Sequence, residues 1–171
     1  MKHVLVCIFI LFMGVLQVQA EPSRKDIEFV NKANIAVARI YQSGKYAKAL
    51  DLAQKVVAHA ERVLGNEHPS TLTSVNNLAL LYYRQGRYAL AEPLYKRALE
   101  ASERVQGKEH PETLTRVNNL AALYRAQGRY ALAEPLYKRA LEASERMLGK
   151  EHPNTFRIVN NLAFLYQAQG R

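Results

Sequence analysis

From about Ile27 onward, apolar residues return every three or four positions, in stretches that end at glycine or begin at proline. Leu72, Val75, Leu78, Ala79 and Tyr82 hold this spacing and predict a helix running from near Pro69 to Gly86. Proline suits the first turn, where no backbone N–H is needed, and Ser70 and Thr71 stand where a capping residue is expected. Gly86 ends the helix, because glycine enters the left-handed conformation at little cost. A second helix is predicted from near Tyr88 to Gly107, with Ala91, Leu94, Tyr95, Ala98, Ser102 and Val105 on one face. Pro93 must lie near its first turn or bend it. Ala79, Ala91 and Ala98 allow close approach of the two helices, and Tyr82 and Tyr95 fill the gaps between layers. One such pair, helix A with helix B, is too small to bury a core; stacked pairs share one.

The stacking is written into the chain. Asn76 to Val117 and Asn118 to Val159 are consecutive blocks that share 33 of 42 positions, and the block returns a third time, cut short, from Asn160 to Arg171. Upstream, Gly44-Lys45-Tyr46 lies 42 positions before Gly86-Arg87-Tyr88. There Ala38, Ile40 and Tyr41 fit helix A if one residue is missing before Gly44, a register that puts Ile35-Ala36 where later copies have two asparagines. The units are expected at about residues 27–65, 69–107, 111–149 and 153–171. The fold class expected is all-α: a right-handed α-solenoid of three helical hairpins and a lone final helix.

The series Leu78-Ala79, Tyr82, Gly86, Tyr88, Ala91, Tyr95, Ala98 resembles a tetratricopeptide repeat. The period of 42, with Asn76-Asn77-Leu78-Ala79, Gly86-Arg87-Tyr88, Ala91-Glu92-Pro93-Leu94-Tyr95 and Gly107-Lys108-Glu109-His110-Pro111, is similar to the long variety found in kinesin light chains and many bacterial proteins. The usual period is about 34 residues. The extra residues lengthen helix B and the loop after it.

The two near-identical blocks differ mainly on helix A. Among the differing pairs are Leu80/Ala122, Tyr83/Arg125, Arg84/Ala126 and Thr115/Arg157. At about 100° per residue, Leu80 and Arg84 fall within roughly 20° of Thr73, with Asn77 beside them and Asn76 and Tyr83 at the edge. Leu78, Tyr82, Val75 and Ala79 lie on the opposite, packed side. The resemblance implies that the variable side lines a concave groove, where the helix A asparagines hydrogen-bond the backbone of an extended peptide. An amide both donates and accepts, so it suits that task. The candidate groove residues are Asn76, Asn77, Leu80, Tyr83, Arg84, Asn118, Asn119, Ala122, Arg125, Arg157, Asn160 and Asn161. Arginine grips carboxylates in a two-pronged geometry, so Arg84, Arg125 and Arg157 favour an acidic ligand.

Other chemistry is sparse. His68, His110 and His152 recur with the repeat, but copies one repeat apart, roughly 8–10 Å, cannot share a metal whose ligands sit about 2 Å away. Capping or loop packing is the better role for them. No phosphate loop, nucleophile motif or Cys/His cluster is present, so neither catalysis nor a cofactor is expected. The net charge of +9 favours acidic partners over neutral ones, but the tyrosines sit at core spacings and do not suggest nucleic acid. Residues 1–20 have the layout of a secretory signal: Lys2 and His3, an apolar run from Val4 to Leu16, then Val18-Gln19-Ala20. Its removal takes the lone cysteine, Cys7, and leaves an exported protein without a stable membrane span, periplasmic or secreted. Residues 21–26, polar and containing Pro22, read as a linker. The chain is thus expected to be a non-catalytic interaction module for a protein or peptide ligand. The alternatives are edge-to-edge docking in an assembly and an accessory fragment of a larger multidomain protein, such as an enzyme. The final helix A lacks a helix B, so its face around Ala163 and Tyr166 should be partly bare and favour self-association.

Overall fold

The computed structural model describes residues 21–170; the expected signal segment, residues 1–20, lies outside the described residues. Seven helices follow one another there: α1 (Arg24–Gln42), α2 (Tyr46–Leu64), α3 (Pro69–Arg84), α4 (Tyr88–Val105), α5 (Pro111–Ala126), α6 (Tyr130–Leu148) and α7 (Pro153–Ala168). Helices α1/α2, α3/α4 and α5/α6 form antiparallel hairpins, and each hairpin packs on the next. Helix α7 lies against α6 and α5.

Each hairpin turn is built the same way. Gly86 takes φ 71°, its N–H donates to the Tyr83 carbonyl at 3.0 Å, and Arg87 N–H reaches back to Tyr82 at 2.9 Å. These bonds satisfy carbonyls that the end of α3 would otherwise leave unpaired. The first hairpin repeats them one period earlier: Gly44 N–H to Tyr41 at 3.0 Å and Lys45 N–H to Ile40 at 3.3 Å. This corrects the expected deletion before Gly44. Tyr41 stands for Tyr83, Ile40 for Tyr82, and the first copy is full length, with Asn34 and Ile35 in the place of Asn76 and Asn77. Tyr41 packs on Tyr46 at 5.0 Å just as Tyr83 packs on Tyr88 at 5.8 Å. The doubled tyrosine of the second repeat, Tyr82-Tyr83, is what makes the register ambiguous in the sequence.

Two further expectations are revised. Residues 24–26 are not linker: α1 starts at Arg24, where Ser23 Oγ accepts from Asp26 N–H at 3.2 Å and caps the helix. Ser70 and Thr71 are not the caps of α3 either. His68 is, with Nδ1 accepting from Ser70 N–H at 3.1 Å, and His110 and His152 do the same for Glu112 and Asn154 at 3.2 Å. Thr71 is fully buried instead. Pro93 and Pro135 stand inside α4 and α6. Both are exposed, so the carbonyl each leaves unbonded faces water.

The core is a continuous seam between the A and B layers. Ala79, Ala91 and Ala98, with their copies Ala121, Ala133 and Ala140, are all 0% exposed, and Tyr95 and Tyr137 fill the space beside them. Val105, expected on the packed face, is 48% exposed, as is Met147 at 54%; Leu99 and Ala101 are buried in that part of α4. A polar knot interrupts the seam where α3, α4 and α5 meet. Arg116 is 2% exposed, its guanidinium donating to Thr73 Oγ1 at 3.3 Å and Ser102 Oγ at 3.4 Å, with Glu112 at 3.6 Å. The next repeat fills the same place with buried Ile158.

A cap that accepts through Nδ1 must be a neutral imidazole carrying its proton on Nε2. Burial holds the His68 pKa below its ordinary value of 6.5. The unfolded chain therefore takes up the proton first. The stabilisation is complete above about pH 6.5 and is lost as pH falls through the lower folded value. Urea unfolding from pH 8 to 5 should show this decline, and His68→Asn, which caps without titrating, should flatten its share of it.

Candidate functional site

The four A helices, α1, α3, α5 and α7, approach one another directly along their row, whereas the backbones of α2, α4 and α6 stay apart. A stack that is tighter on one side curves towards it, so the A row forms the concave face. It carries two adjoining hollows.

The larger, about 260 Å³, is lined by Leu80, Tyr83 and Arg84 of α3, Tyr95 of α4, Asn118, Asn119, Ala122 and Arg125 of α5, and Arg157 and Asn161 of α7. Most of the residues singled out from the sequence therefore meet in one place. No carboxylate lines it. The guanidinium of Arg125 rests over the Phe164 ring at 5.8 Å. Tyr137 is buried beneath Arg125, and that burial pushes its hydroxyl up to about 12, with the adjacent guanidinium opposing the rise. Tyr95 is raised too, again chiefly by burial, with Arg84 pulling the other way. Both hydroxyls stay protonated and can donate.

The smaller hollow, about 170 Å³, lies between α1 and α3 and is lined by Val37, Ala38, Tyr41, Gln42, Asn77, Leu80 and Leu81. Leu80 is the wall between the two. The residues of α1 here escaped the sequence reading because the first repeat was placed one residue out of register. With the hairpin-turn glycines aligned, Ala38 falls opposite Leu80 and the signal is present.

The asparagines divide into two roles. Asn119 donates its Nδ2 to Asn76 Oδ1 at 3.1 Å, and Asn161 donates to Asn118 Oδ1 at 3.0 Å, so the pair forms a rung between successive A helices. In the first interval Asn34 donates instead to Ser74 Oγ at 2.9 Å. Asn118 is 2% exposed and sits at the floor of the hollow. Asn77 is half-buried at the apolar hollow with no such rung. Asn160 is exposed and lines neither hollow.

Among the described residues no three His, Cys, Asp or Glu side chains converge as a metal site would require. No helix there is long and apolar enough to cross a membrane.

The tetratricopeptide repeat profile matches residues 29–104, 71–142 and 114–171, overlapping along most of the chain. The chain belongs to the tetratricopeptide repeat family. Its solved neighbours are of the kinesin-light-chain type. A kinesin-light-chain-type protein of Podosopora anserina with nearly identical TPR-like repeats superposes with a TM-score of 0.78 at 29% identity, over 84% of this chain and 68% of that one. A variant of that protein gives 0.79 at 28% identity, over 86% and 69%. BtubC (BKLC) from P. vanneervenii gives 0.76 at 22% identity, covering 89% of this chain and 61% of the other, a likeness of fold alone. No curated protein matches the sequence. Repeats of this family serve protein–protein interaction, and this array is such a scaffold.

The two asparagine roles separate by mutation. Asn119→Ala removes a rung and should lower stability by about 1 kcal/mol. Asn77→Ala should raise it by a few tenths of a kcal/mol, which alanine's helix preference alone supplies. Urea unfolding of each variant measures both.

Proposed function

We propose that the protein is a non-catalytic binding module that holds an extended acidic peptide, or an acidic segment of a protein, along the row of A helices. The observation that carries this reading is a contrast among the arginines. Arg97, Arg104, Arg116, Arg129, Arg139 and Arg146 each have a glutamate partner. Among the described residues Arg24, Arg39, Arg62, Arg84, Arg87, Arg125 and Arg157 have none, and of these Arg84, Arg125 and Arg157 converge on one hollow. A carboxylate entering there meets guanidinium groups that need not leave another partner, and the amides of Asn119 and Asn161 lie within the same lining. Next to it, the hollow of Val37, Tyr41, Leu80 and Leu81 accepts an aliphatic or aromatic side chain. An extended strand advances about 3.3 Å per residue, so side chains a few residues apart reach both.

The segment from residue 1 to 20 adds that the module works outside the cytoplasm. A cationic start, an apolar run of about a dozen residues and small residues before Glu21 are the parts an export signal needs. In this reading the working protein is periplasmic or secreted and lacks Cys7.

A peptide array probed with the processed protein tests the binding role. Acidic peptides should bind, neutral ones of the same length should not, and binding should weaken as salt rises. Losing a charge-assisted hydrogen bond costs about 1.5–3 kcal/mol. Arg125→Ala should therefore weaken an acidic peptide by about tenfold or more, and the Asn77→Ala, Asn119→Ala pair should weaken it without changing the salt dependence of what binding remains. Equal capture of acidic and neutral peptides would remove the reading.

A further inference from the structure

Bonds between the asparagines of successive A helices hold those helices side by side and parallel, so the three turns from A to B lie in a row along one edge of the array. That edge is cationic. Residues 41–49, 83–91 and 125–133 hold Lys45 and Lys48, Arg84 and Arg87, and Arg125 and Arg129, with no aspartate or glutamate among them. The opposite edge, where each B helix runs into the next A helix, carries two glutamates beside one or two bases in each of residues 61–69, 103–111 and 145–153. There Arg104 pairs with Glu67 and Arg146 with Glu109, staples that join one repeat to the next. In every stretch between residues 41 and 153 outside the turns, acids match or outnumber bases. The positive charge of this part of the chain is therefore gathered at one edge.

Helix stability does not account for these cations. Lys45, Arg87 and Arg129 occupy the N-cap positions of α2, α4 and α6, none of which has a side-chain cap bond or an acid in its first turn. The dipole of a helix disfavours positive charge at its start. Arg129 is held by Glu92 at 2.7 Å, and Arg84 and Arg125 line the groove hollow. Lys45, Lys48 and Arg87 are exposed and pair with no acid among the described residues. Apolar side chains stand exposed between the cations: Tyr46 at 53%, Leu90 at 43% and Leu132 at 44%. Leu90 also borders a hollow of about 500 Å³ between α2 and α4, whose apolar lining includes Val57, Ala58, Leu78, Pro93 and Leu94. Arg87 rests over another of its walls, the Tyr82 ring, at 4.8 Å. Glu61, the acid at this hollow, is already taken by Arg97.

We propose that this edge rests on an anionic lipid bilayer. Lys45, Lys48 and Arg87 meet headgroup phosphates. Tyr46, Leu90 and Leu132 enter the boundary between headgroups and acyl chains, whose carbons pack into the hollow beside Leu90. The recurrence of an exposed apolar side chain beside a cation at every turn selects this partner. Lysine and arginine lay their stems along apolar surface while the charge stays in water, and an apolar face gains from the acyl boundary while anionic lipids attract its cations. A polyanion dissolved in water answers the charges but leaves Tyr46, Leu90 and Leu132 wet. The row of turns is an edge and not a cleft: Lys45, Lys48 and Arg87 line neither groove hollow, so a flat partner reaches all three at once. This inference does not rest on the ligand of the concave face.

Vesicle sedimentation tests it, with the protein freed of residues 1–20, whose apolar run would bind lipid by itself; the seven helices all lie within residues 24–168. Vesicles of phosphatidylcholine containing phosphatidylglycerol should carry the protein down, vesicles of phosphatidylcholine alone should not, and added salt should release it. One cation near an anionic surface changes binding about fivefold, so Lys45→Gln with Lys48→Gln should weaken it about 25-fold. Leu90→Ser with Leu132→Ser should weaken it as well, while the slope of binding against salt stays the same. All four side chains are exposed, so circular dichroism should report unchanged helix content in both variants. Equal binding to the two kinds of vesicle, or indifference to the lysine pair, overturns the proposal. So does a leucine pair without effect together with equal capture by immobilised polyglutamate, which would assign the edge to an acidic protein instead.

Discussion

No hairpin of this chain can bury its own apolar face, and the rest of the structure follows from that. The alanines at the crossing of each A and B helix bring the two backbones close, and Tyr95 and Tyr137 fill the wedge left beside them. Each hairpin closes the core of the one before it. Burial is worth roughly 25 cal/mol per Å² of apolar surface, and here it accrues interface by interface rather than in one centre. The contacts that matter for stability are therefore those between neighbours, and apart from the asparagine rungs the outer face of the A helices adds little to them.

The arginines show how that freedom is used. On α4 and α6 they are spent on the stack, each reaching a glutamate of the preceding repeat. Such exposed pairs contribute little each, on the order of 0.2–1 kcal/mol, but their spacing fixes which face of a helix meets its neighbour. On the A side Arg84, Arg125 and Arg157 surround a hollow without a carboxylate. Arg84 and Arg157 are exposed there, so leaving them unpaired costs the fold little, whereas half-buried Arg125 keeps its Nε without a hydrogen-bond partner among the described residues. Arg116 is the opposite case: buried to 2% and held by two hydroxyls and Glu112. Burial lowers its pKa and Glu112 counters that. Its position next to the groove residues in sequence does not put it in the groove.

The architecture was legible because the chain states it repeatedly. Spacing, prolines and glycines placed the helices from Pro69 onward almost to the residue, and the helical wheel separated the packed face from the groove face. Three things were not legible for physical reasons. The register of the first repeat turned on which of two adjacent tyrosines Tyr41 matches, and the backbone hydrogen bonds of the Gly44 turn decide it. Histidine as a cap is outside the usual set of serine, threonine, aspartate and asparagine, so Ser70 and Thr71 drew the assignment instead. The bonds between asparagines of successive repeats join residues far apart in the chain, and no local pattern reveals them.

The rungs and staples carry one more consequence. The α4–α5 and α6–α7 junctions are made by almost the same residues, since the blocks that supply them share 33 of 42 positions. Cutting out one whole block, or splicing in another, would present each surviving helix with the neighbour it already has. The array's length is a variable that can change in steps of one period with few side chains to adjust at each junction, the Arg116/Ile158 position first among them, and with it the reach of the surface the array offers.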